Sequence, residues 1–354
     1  MRSRRPLVAA SLAAFALTLT ACSSSTGGNA GSTASPTPPA SSTTSSPAPS
    51  TTPSPADKTF TIGVAVIVSH PSLQAVQDGF EAVLKEQGVK YTLIPQNAQG
   101  DAANAATIAS SFAANKNIDL MLAISTPIAL ALASAEKTRP IIFSAVTDPV
   151  GAGLCPSWQQ AGPNVTGTSD LNPEAKPVSM VKEAMPGVKT IGVLYSSSEP
   201  NSLVQVKAYE DEAKTVGVTL KEQAITAASE ISTGLGALKG VDAILVPTDN
   251  TVIAAISTVI AYGQEHKIPV FTSDTAPVSL GAVAARGVSY KNLGRRAGEM
   301  AVSILRDGKS ISSIPPEAPT QTELSVNPDA AKTFGLTLPD SFLKGATIVT
   351  TKAS

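Results

Sequence analysis

Short polar clusters follow six predicted β-strands, and four of these clusters contain a carboxylate. Ligands of open parallel sheets bind beyond the carboxyl ends of the strands, so clusters at those positions predict one shared ligand site. None of the six clusters contains Lys or Arg. The candidate binding residues are Ser69 and His70; Ser125 and Thr126; Thr147 and Asp148; Ser197, Ser198, Glu199, Asn201 and Ser202; Thr248, Asp249 and Asn250; and Asp274.

The charge of these clusters indicates what they would bind. Carboxylates without nearby cations favour a ligand that carries an amino group. A carboxylate on the same ligand could be bound by hydroxyls, by Asn201 and by helix N-termini. The pattern therefore predicts a zwitterion such as an amino acid and argues against phosphate or sulfate. A sugar remains an alternative, although no predicted strand end carries Trp or Phe.

Each cluster also has a simpler interpretation as a helix cap. Ser, Thr, Asp and Asn are the preferred N-cap residues, and Thr126 precedes a proline at the first helical position. The clusters recur at matching places in two halves of the chain, which favours ligand contact. Capping does not exclude such contact, because a capped helix start still offers backbone N–H groups to an anion.

The elements that must position these residues alternate between strand and helix. Residues 59–68 are rich in β-forming residues, and residues 71–88 carry apolar residues on one helical face. The same order restarts near Lys189, where Ile191-Gly192-Val193 repeats Ile62-Gly63-Val64. Such alternation predicts an α/β protein with two doubly wound parallel-sheet lobes joined by a multi-crossover hinge.

The tail of the chain extends beyond the second repeat. We expect it to cross back to the first lobe and then return to the second. The predicted first lobe therefore contains residues 57–167 and 288–314, and the second contains residues 168–287 and 315–348. Several crossovers between two lobes form a hinge at which a cleft can open and close.

The N-terminal segment is predicted to be an export and anchoring signal. Residues 1–21 combine three arginines, an apolar run and small residues directly before Cys22. We expect Cys22 to be lipidated, with acyl chains such as palmitate that hold the protein on the outer face of the cell membrane. Residues 22–56 carry no charge and consist mostly of Ser, Thr, Pro, Ala and Gly, which is typical of a disordered tether.

Other classes of protein lack their signatures in this sequence. There are two histidines, no Gly-x-Ser-x-Gly motif and no phosphate-binding loop, so we expect neither an enzyme nor a bound cofactor. No Cys/His spacing typical of a metal site is present. Without the three arginines of the signal, the net charge of −1 becomes −4, and this mildly acidic charge and the export signal argue against a nucleic-acid-binding regulator.

Several longer motifs resemble the ABC-transporter substrate-binding proteins of tryptophan/tyrosine-type uptake systems. The resemblance covers about residues 60–336. It implies a type I periplasmic-binding-protein fold and delivery of the ligand to an ABC permease. Members of this group often have an acidic residue before the first His-Pro, where this chain has Ser69. The motifs lie at residues 96–101, 125–127, 145–154, 164–167, 192–202 and 246–251.

Position by position, the resemblance implies ligand contacts at Thr126, Thr147, Asp148, Ser197, Ser198, Asn201, Ser202, Thr248, Asp249, Asn250 and Asp274. We expect a monomeric binding protein that captures an amino acid, with an aromatic side chain favoured, by closing its lobes. The alternatives are a protein that binds a sugar or another polar solute, and a receptor that reports to a sensor instead of a permease.

Overall fold

The computed structural model describes residues 58–171 and 173–351 of the chain. The predicted signal peptide, Cys22 and the tether lie outside the described residues. Within the described residues, no helix is long and apolar enough to cross a membrane.

The first five strands form one parallel sheet, and all neighbouring pairs in it are parallel. Its central strands are apolar at almost every position because helices cover both faces of the sheet. The strands are β1 (Thr59–Val66), β2 (Lys90–Asn97), β3 (Leu120–Ile124), β4 (Ile141–Ser144) and β5 (Val165–Thr168), in the spatial order β2-β1-β3-β4-β5. The helices between them are α1 (Pro71–Glu86), α2 (Ala102–Ala114) and α3 (Thr126–Ala135).

The later strands form a second sheet with its own hydrophobic core. They are β6 (Thr190–Ser196), β7 (Thr219–Ile225), β8 (Ala243–Val246), β9 (Val270–Thr272), β10 (Ala284–Gly287), β11 (Glu323–Val326) and β12 (Thr347–Ile348), in the order β12-β11-β10-β9-β8-β6-β7. The remaining helices are α4 (Pro177–Ala184), α5 (Pro200–Val216), α6 (Ile231–Ala237), α7 (Asn250–Ala254), α8 (Ile256–His266), α9 (Tyr290–Leu305), α10 (Pro328–Thr333) and α11 (Asp340–Leu343).

One strand pair of the second sheet departs from the parallel pattern. β10 and β11 are antiparallel, with Gly287 opposite Glu323. The chain leaves this lobe after β10, forms α9 on the first lobe and re-enters at the same end of the sheet. β11 must therefore run opposite to β10. β10 ends at Gly287, and Tyr290 already begins α9.

Helix α9 belongs to the first lobe because it packs directly on α1. A Cβ added at Gly294 would lie 1.9 Å from the carbonyl oxygen of Val76, and one at Gly79 would lie 2.2 Å from that of Lys291. The two helices approach so closely because glycines stand at their contact. Leu293, Ala297 and Met300 complete the core of the first lobe.

Within the described residues, three crossings connect the lobes, at residues 169–171 with 173–176, at 288–289 and at 315–322. Two of the crossings are hydrogen-bonded to each other. The Ser169 N–H donates to the Glu317 carbonyl at 2.7 Å, and the Glu317 N–H donates to the Gly167 carbonyl at 3.0 Å. A two-lobed α/β fold with a multi-strand hinge is the architecture that the alternating sequence predicts.

Candidate functional site

A small enclosed pocket lies where the carboxyl ends of strands from both sheets meet. It combines residues of the first lobe, the hinge and the second lobe, and no Lys or Arg is among them. Its space is only about 10 Å³, which is the room of roughly one water molecule. The lining residues are His70, Leu73, Ala145, Thr147, Asp170, Asn201, Thr248, Asp249, Asn250, Ile253, Asp274 and Tyr290. We call this space the cleft pocket.

The first lobe contributes His70 and Thr147 from the sequence-predicted set. His70 is the residue before α1, and neither of its ring nitrogens has a hydrogen-bond partner within the described residues. Burial lowers the pKa of His70. The Thr147 N–H donates to the Thr126 hydroxyl at 3.4 Å, which places the start of α3 beside the pocket.

Ser125 has an unusual backbone conformation at the start of α3. Its φ of +94° lies in a region that non-glycine residues rarely adopt. Its hydroxyl is buried and has no partner among the described residues. Strain of this kind is of order 1–3 kcal/mol and is concentrated at binding sites. Ser125 is not among the residues that line the cleft pocket.

Two predicted carboxylates of the second lobe are already saturated by the protein. Asp249 accepts hydrogen bonds from the Ser196 N–H and the Ser202 hydroxyl at 2.6 Å each, and it caps α7 through the Val252 N–H. Burial, together with Glu199 nearby, raises the pKa of Asp249 to about 7. Its oxygens have little capacity left for a ligand.

Glu199 is the second saturated carboxylate. One of its oxygens accepts from the N–H and the hydroxyl of Thr251 at 2.8 Å each. The other accepts from the N–H of Asn250 and from the side chain of Asn201, both at 3.0 Å. Glu199 thus binds the N-terminus of α7, where a negative charge is favourable.

Asn201 offers an acceptor to the cleft pocket. Its amide nitrogen donates to Glu199 and to the Thr248 carbonyl, and this orientation turns Oδ1 away from them. Asn201 is 4% exposed, and its Oδ1 has no partner among the described residues. A buried acceptor without a partner costs about 1–3 kcal/mol, which a ligand that donates a hydrogen bond would recover.

Asp274 connects the two lobes across the cleft. The hydroxyl of Ser72, at the start of α1, donates to Asp274 Oδ2 at 2.5 Å. The other oxygen of Asp274 accepts from the Ala276 N–H at 2.9 Å. Sequence reasoning identified Asp274 and missed Ser72, because Ser72 lies inside a helix and not at a strand end.

Asp170 is the second residue that sequence reasoning missed. It lies in the first hinge crossing, and its Oδ2 accepts from the Tyr290 hydroxyl at 3.1 Å. Its Oδ1 is buried without a partner among the described residues. Burial raises the pKa of Asp170 to about 6. Asp170 follows β5, so the strand-end rule would have found it if β5 had been predicted as a strand.

Some predicted site residues do not reach the cleft pocket in this arrangement. Ser69 is exposed and accepts from the side chain of Asn97 at 2.7 Å. Asp148 accepts from the Gly151 N–H at 2.8 Å and so stabilises a turn. Ser197 and Ser198 are exposed, and their hydroxyls contact the Ile225 carbonyl and Ser196 respectively.

The described part of the chain contains no group of three or more His, Cys, Asp and Glu residues that could hold a metal ion. The unpartnered atoms that surround the cleft pocket are instead suited to a polar organic ligand. They comprise acceptors on Asp170 and Asn201 and the ring nitrogens of His70.

Comparison with known proteins assigns this architecture to a family. Residues 61–350 match the family model described as ABC transporter substrate binding protein. A curated relative, the tyrosine-binding protein of Clostridioides difficile (strain R20291), is 40% identical over 284 residues, which cover 79% of this chain and 82% of the relative.

Two solved structures of relatives represent different states. An ABC domain from Streptococcus pneumonia in complex with L-Trp is 38% identical and matches with a TM-score of 0.79, covering 82% of this chain and all of that one. The ligand-free, open structure of a substrate binding protein with adhesive properties from Clostridium difficile is 40% identical. It covers 83% of this chain and all of the relative, but its TM-score is 0.62.

This chain therefore superposes better on the ligand-bound relative than on the open one, although identity and coverage are nearly the same. The hydrogen bond between Ser72 and Asp274 and the small volume of the cleft pocket agree with a closed arrangement.

Proposed function

This chain belongs to the family of ABC transporter substrate-binding proteins, and from that premise we propose that its cleft binds an amino acid with an aromatic side chain. We further propose that the lobes close on this ligand and that the closed form delivers it to a permease. The protein is a solute-binding protein and not an enzyme.

The unpartnered Asp170 Oδ1 is the observation that carries the choice of ligand. It is a buried carboxylate oxygen in a pocket that contains no Lys or Arg. An ammonium group provides three donors and a positive charge, so it would satisfy Asp170 Oδ1 and Asn201 Oδ1 together. Glu199 and Asp249 are not expected to bind the ammonium group, because their oxygens already accept hydrogen bonds from α7 and the residues around it.

The carboxylate of the ligand has donors on the first lobe. Burial keeps His70 neutral, so one of its unpartnered ring nitrogens is an N–H donor, and the start of α3 lies beside Thr147. A helix N-terminus attracts an anion without any arginine. A zwitterion would therefore contact the hinge, the first lobe and the second lobe at once, and such differential contact is what stabilises a closed form.

The aromatic character of the ligand is supported by the relatives. The curated relative is named for tyrosine, and one of the solved structures contains L-Trp. We also propose that Cys22 is the lipidated first residue of the exported protein, which would keep a monomeric binding domain close to its permease on the outer face of the membrane.

Calorimetry on the detergent-solubilised full chain tests the proposed ligand. The titrants are L-Trp, L-Tyr, L-Phe, glucose and two analogues of tyrosine, of which one lacks the amino group and the other the carboxylate. We expect at least one aromatic amino acid to bind, with each analogue weaker by about 10-fold or more, because each leaves a buried polar group unpaired. Binding of glucose without binding of any amino acid would overturn the proposal.

A further inference from the structure

A second cavity adjoins the cleft pocket on its hinge side. It lies between the first hinge crossing, α4, α5 and the end of β10, and its volume is about 630 Å³. Thr147, Asp170 and Thr248 line both spaces. We call the larger space the hinge-side cavity.

The two spaces differ greatly in what they can hold. With about 10 Å³ available, the cleft pocket has no room for the side chain of an aromatic amino acid. The hinge-side cavity lies within the range of about 300–1,000 Å³ that is usual for small-molecule pockets. Asp170 lines both spaces, so a ligand whose ammonium group contacts it lies between the nearly filled cleft pocket and the open hinge-side cavity.

The walls of the hinge-side cavity are suited to an uncharged side chain. Leu171, Ala208, Val216 and Val288 supply apolar surface. At the inner end, the Tyr209 hydroxyl is hydrogen-bonded to Ser273 at 2.6 Å, so this polar group already has a partner.

The other polar groups at the inner end are also paired with each other. The Gln205 amide nitrogen donates to the hydroxyl of Thr248 at 2.5 Å, and its amide oxygen accepts from the Thr248 N–H at 3.1 Å. The ligand therefore need not supply a polar group at this end of the cavity.

Among the described residues, four charged side chains besides Asp170 line the cavity: Lys176, Asp211, Glu212 and Arg286. Asp211 is paired with Lys214 at 2.9 Å. Glu212 accepts from the backbone N–H groups of Val178 and Ser179 at the start of α4. Arg286 is paired with Glu183 at 2.5 Å. A charged ligand side chain would have to compete with the contacts of Asp211, Glu212 and Arg286 or pair with the exposed Lys176, whereas an aromatic ring would cover the apolar part of the wall.

From this geometry we propose that the side chain of the bound amino acid passes between Thr147, Asp170 and Thr248 and occupies the hinge-side cavity. This inference rests on the proposed function. It makes the face of α5 that carries Ala208 and Val216 a determinant of ligand choice, with selection for bulky side chains that can cover this apolar surface.

Cysteine labelling at the cavity wall tests the inference. Ala208 is exposed on the cavity side of α5, so a maleimide should react with the Ala208→Cys variant of the full chain. The native Cys155 is 3% exposed, and the parent chain corrects for any labelling of Cys22. We expect saturating L-Trp or L-Tyr to slow the labelling of Ala208→Cys at least 10-fold. The matched control is Ala106→Cys on the exposed face of α2, whose labelling rate should not change.

A second pair of variants tests the cavity by filling it. Ala208→Trp should weaken binding of L-Trp and L-Tyr at least 10-fold, whereas Ala106→Trp should bind as the parent does, with both variants melting near the parent temperature. Suppose that the amino acid raises the melting temperature of the parent and of Ala208→Cys, while labelling of Ala208→Cys and the affinity of Ala208→Trp stay unchanged. The side chain then lies elsewhere, and this inference is wrong while the proposed function stands. If no aromatic amino acid stabilises the parent, both fail.

Discussion

The hydroxyl of Ser72 donates a hydrogen bond to Asp274 across the cleft, over a separation of 202 positions in the chain. Ser72 is at the start of α1 in the first lobe, and Asp274 follows β9 in the second. This contact exists only when the lobes are close together. It therefore links closure of the cleft directly to the carboxylates that line it.

Removing this contact should shift the balance towards the open form. A hydrogen bond to a charged group contributes about 1.5–3 kcal/mol, so Ser72→Ala should weaken amino-acid binding by roughly 10-fold or more. Small-angle scattering of the ligand-bound form should show a larger open fraction than the parent at equal ligand concentration. The matched control is Ser110→Ala on exposed α2, where the hydroxyl bonds only to its own helix. Equal affinity of the two variants would contradict a role for Ser72 in closure.

Asp170→Asn should weaken binding of the amino acid without lowering the stability of the ligand-free protein. The substitution keeps the shape of the side chain and removes the charge that we assign to the ligand ammonium. We expect affinity for the amino acid to fall by at least 10-fold in calorimetry. The ligand-free protein should melt no lower than the parent, because burial already disfavours the ionised form of Asp170. A large loss of stability with unchanged affinity would mean that Asp170 is a structural residue.

The stability of the ligand-free protein should depend on pH through the same residue. The pKa of Asp170 is raised to about 6 in the folded protein, against about 3.9 for an unperturbed Asp. A group with a raised pKa contributes stability that is present below the unperturbed value and is lost as pH rises through the folded value. The melting temperature of the parent should therefore fall between about pH 4 and pH 6 relative to that of Asp170→Asn. Parallel curves for the two proteins would contradict this assignment.

Ligand binding should show the opposite trend. The ammonium group needs an ionised carboxylate, so affinity should rise as pH increases through about 6. Calorimetry of the parent between pH 5 and pH 7.5 would measure this slope, and Asp170→Asn should flatten it.

Close packing of α9 on α1 should make Gly294 intolerant of a side chain. An added Cβ would lie 1.9 Å from the Val76 carbonyl oxygen, so the helices would have to move apart. Overpacking of this kind costs about 1–3 kcal/mol or more, and Gly294→Ala should lower the free energy of unfolding by that amount in denaturant titration. Gly236→Ala in α6 is the control, because no atom lies within 4 Å of its added Cβ. Equal stability of both variants would show that the helices adjust freely.

The sequence alone predicted the alternating α/β order, the two lobes and several residues of the cleft pocket, among them His70, Thr147, Asn201 and Asp274. The fold could be predicted because apolar periodicity is a local pattern, and the polar strand ends could be located for the same reason. Contact of these residues with a ligand stays a prediction. The short β5 was not predicted, because its four residues include Gly167 and two threonines and lack a clear apolar pattern. Asp170 was missed as a consequence.

The tertiary structure alone decided which of the predicted side chains are available to a ligand. Glu199, Asp249 and Asp274 all follow strands, yet donors around α7 fill the oxygens of the first two, and Ser72 and Ala276 bind those of Asp274. Asp170 keeps an oxygen without a partner, and the hinge-side cavity opens beside it. These partners come from distant parts of the chain, so no local pattern records them. The signal segment and Cys22 differ in this respect, because their prediction rests on local residue types alone and does not depend on the fold.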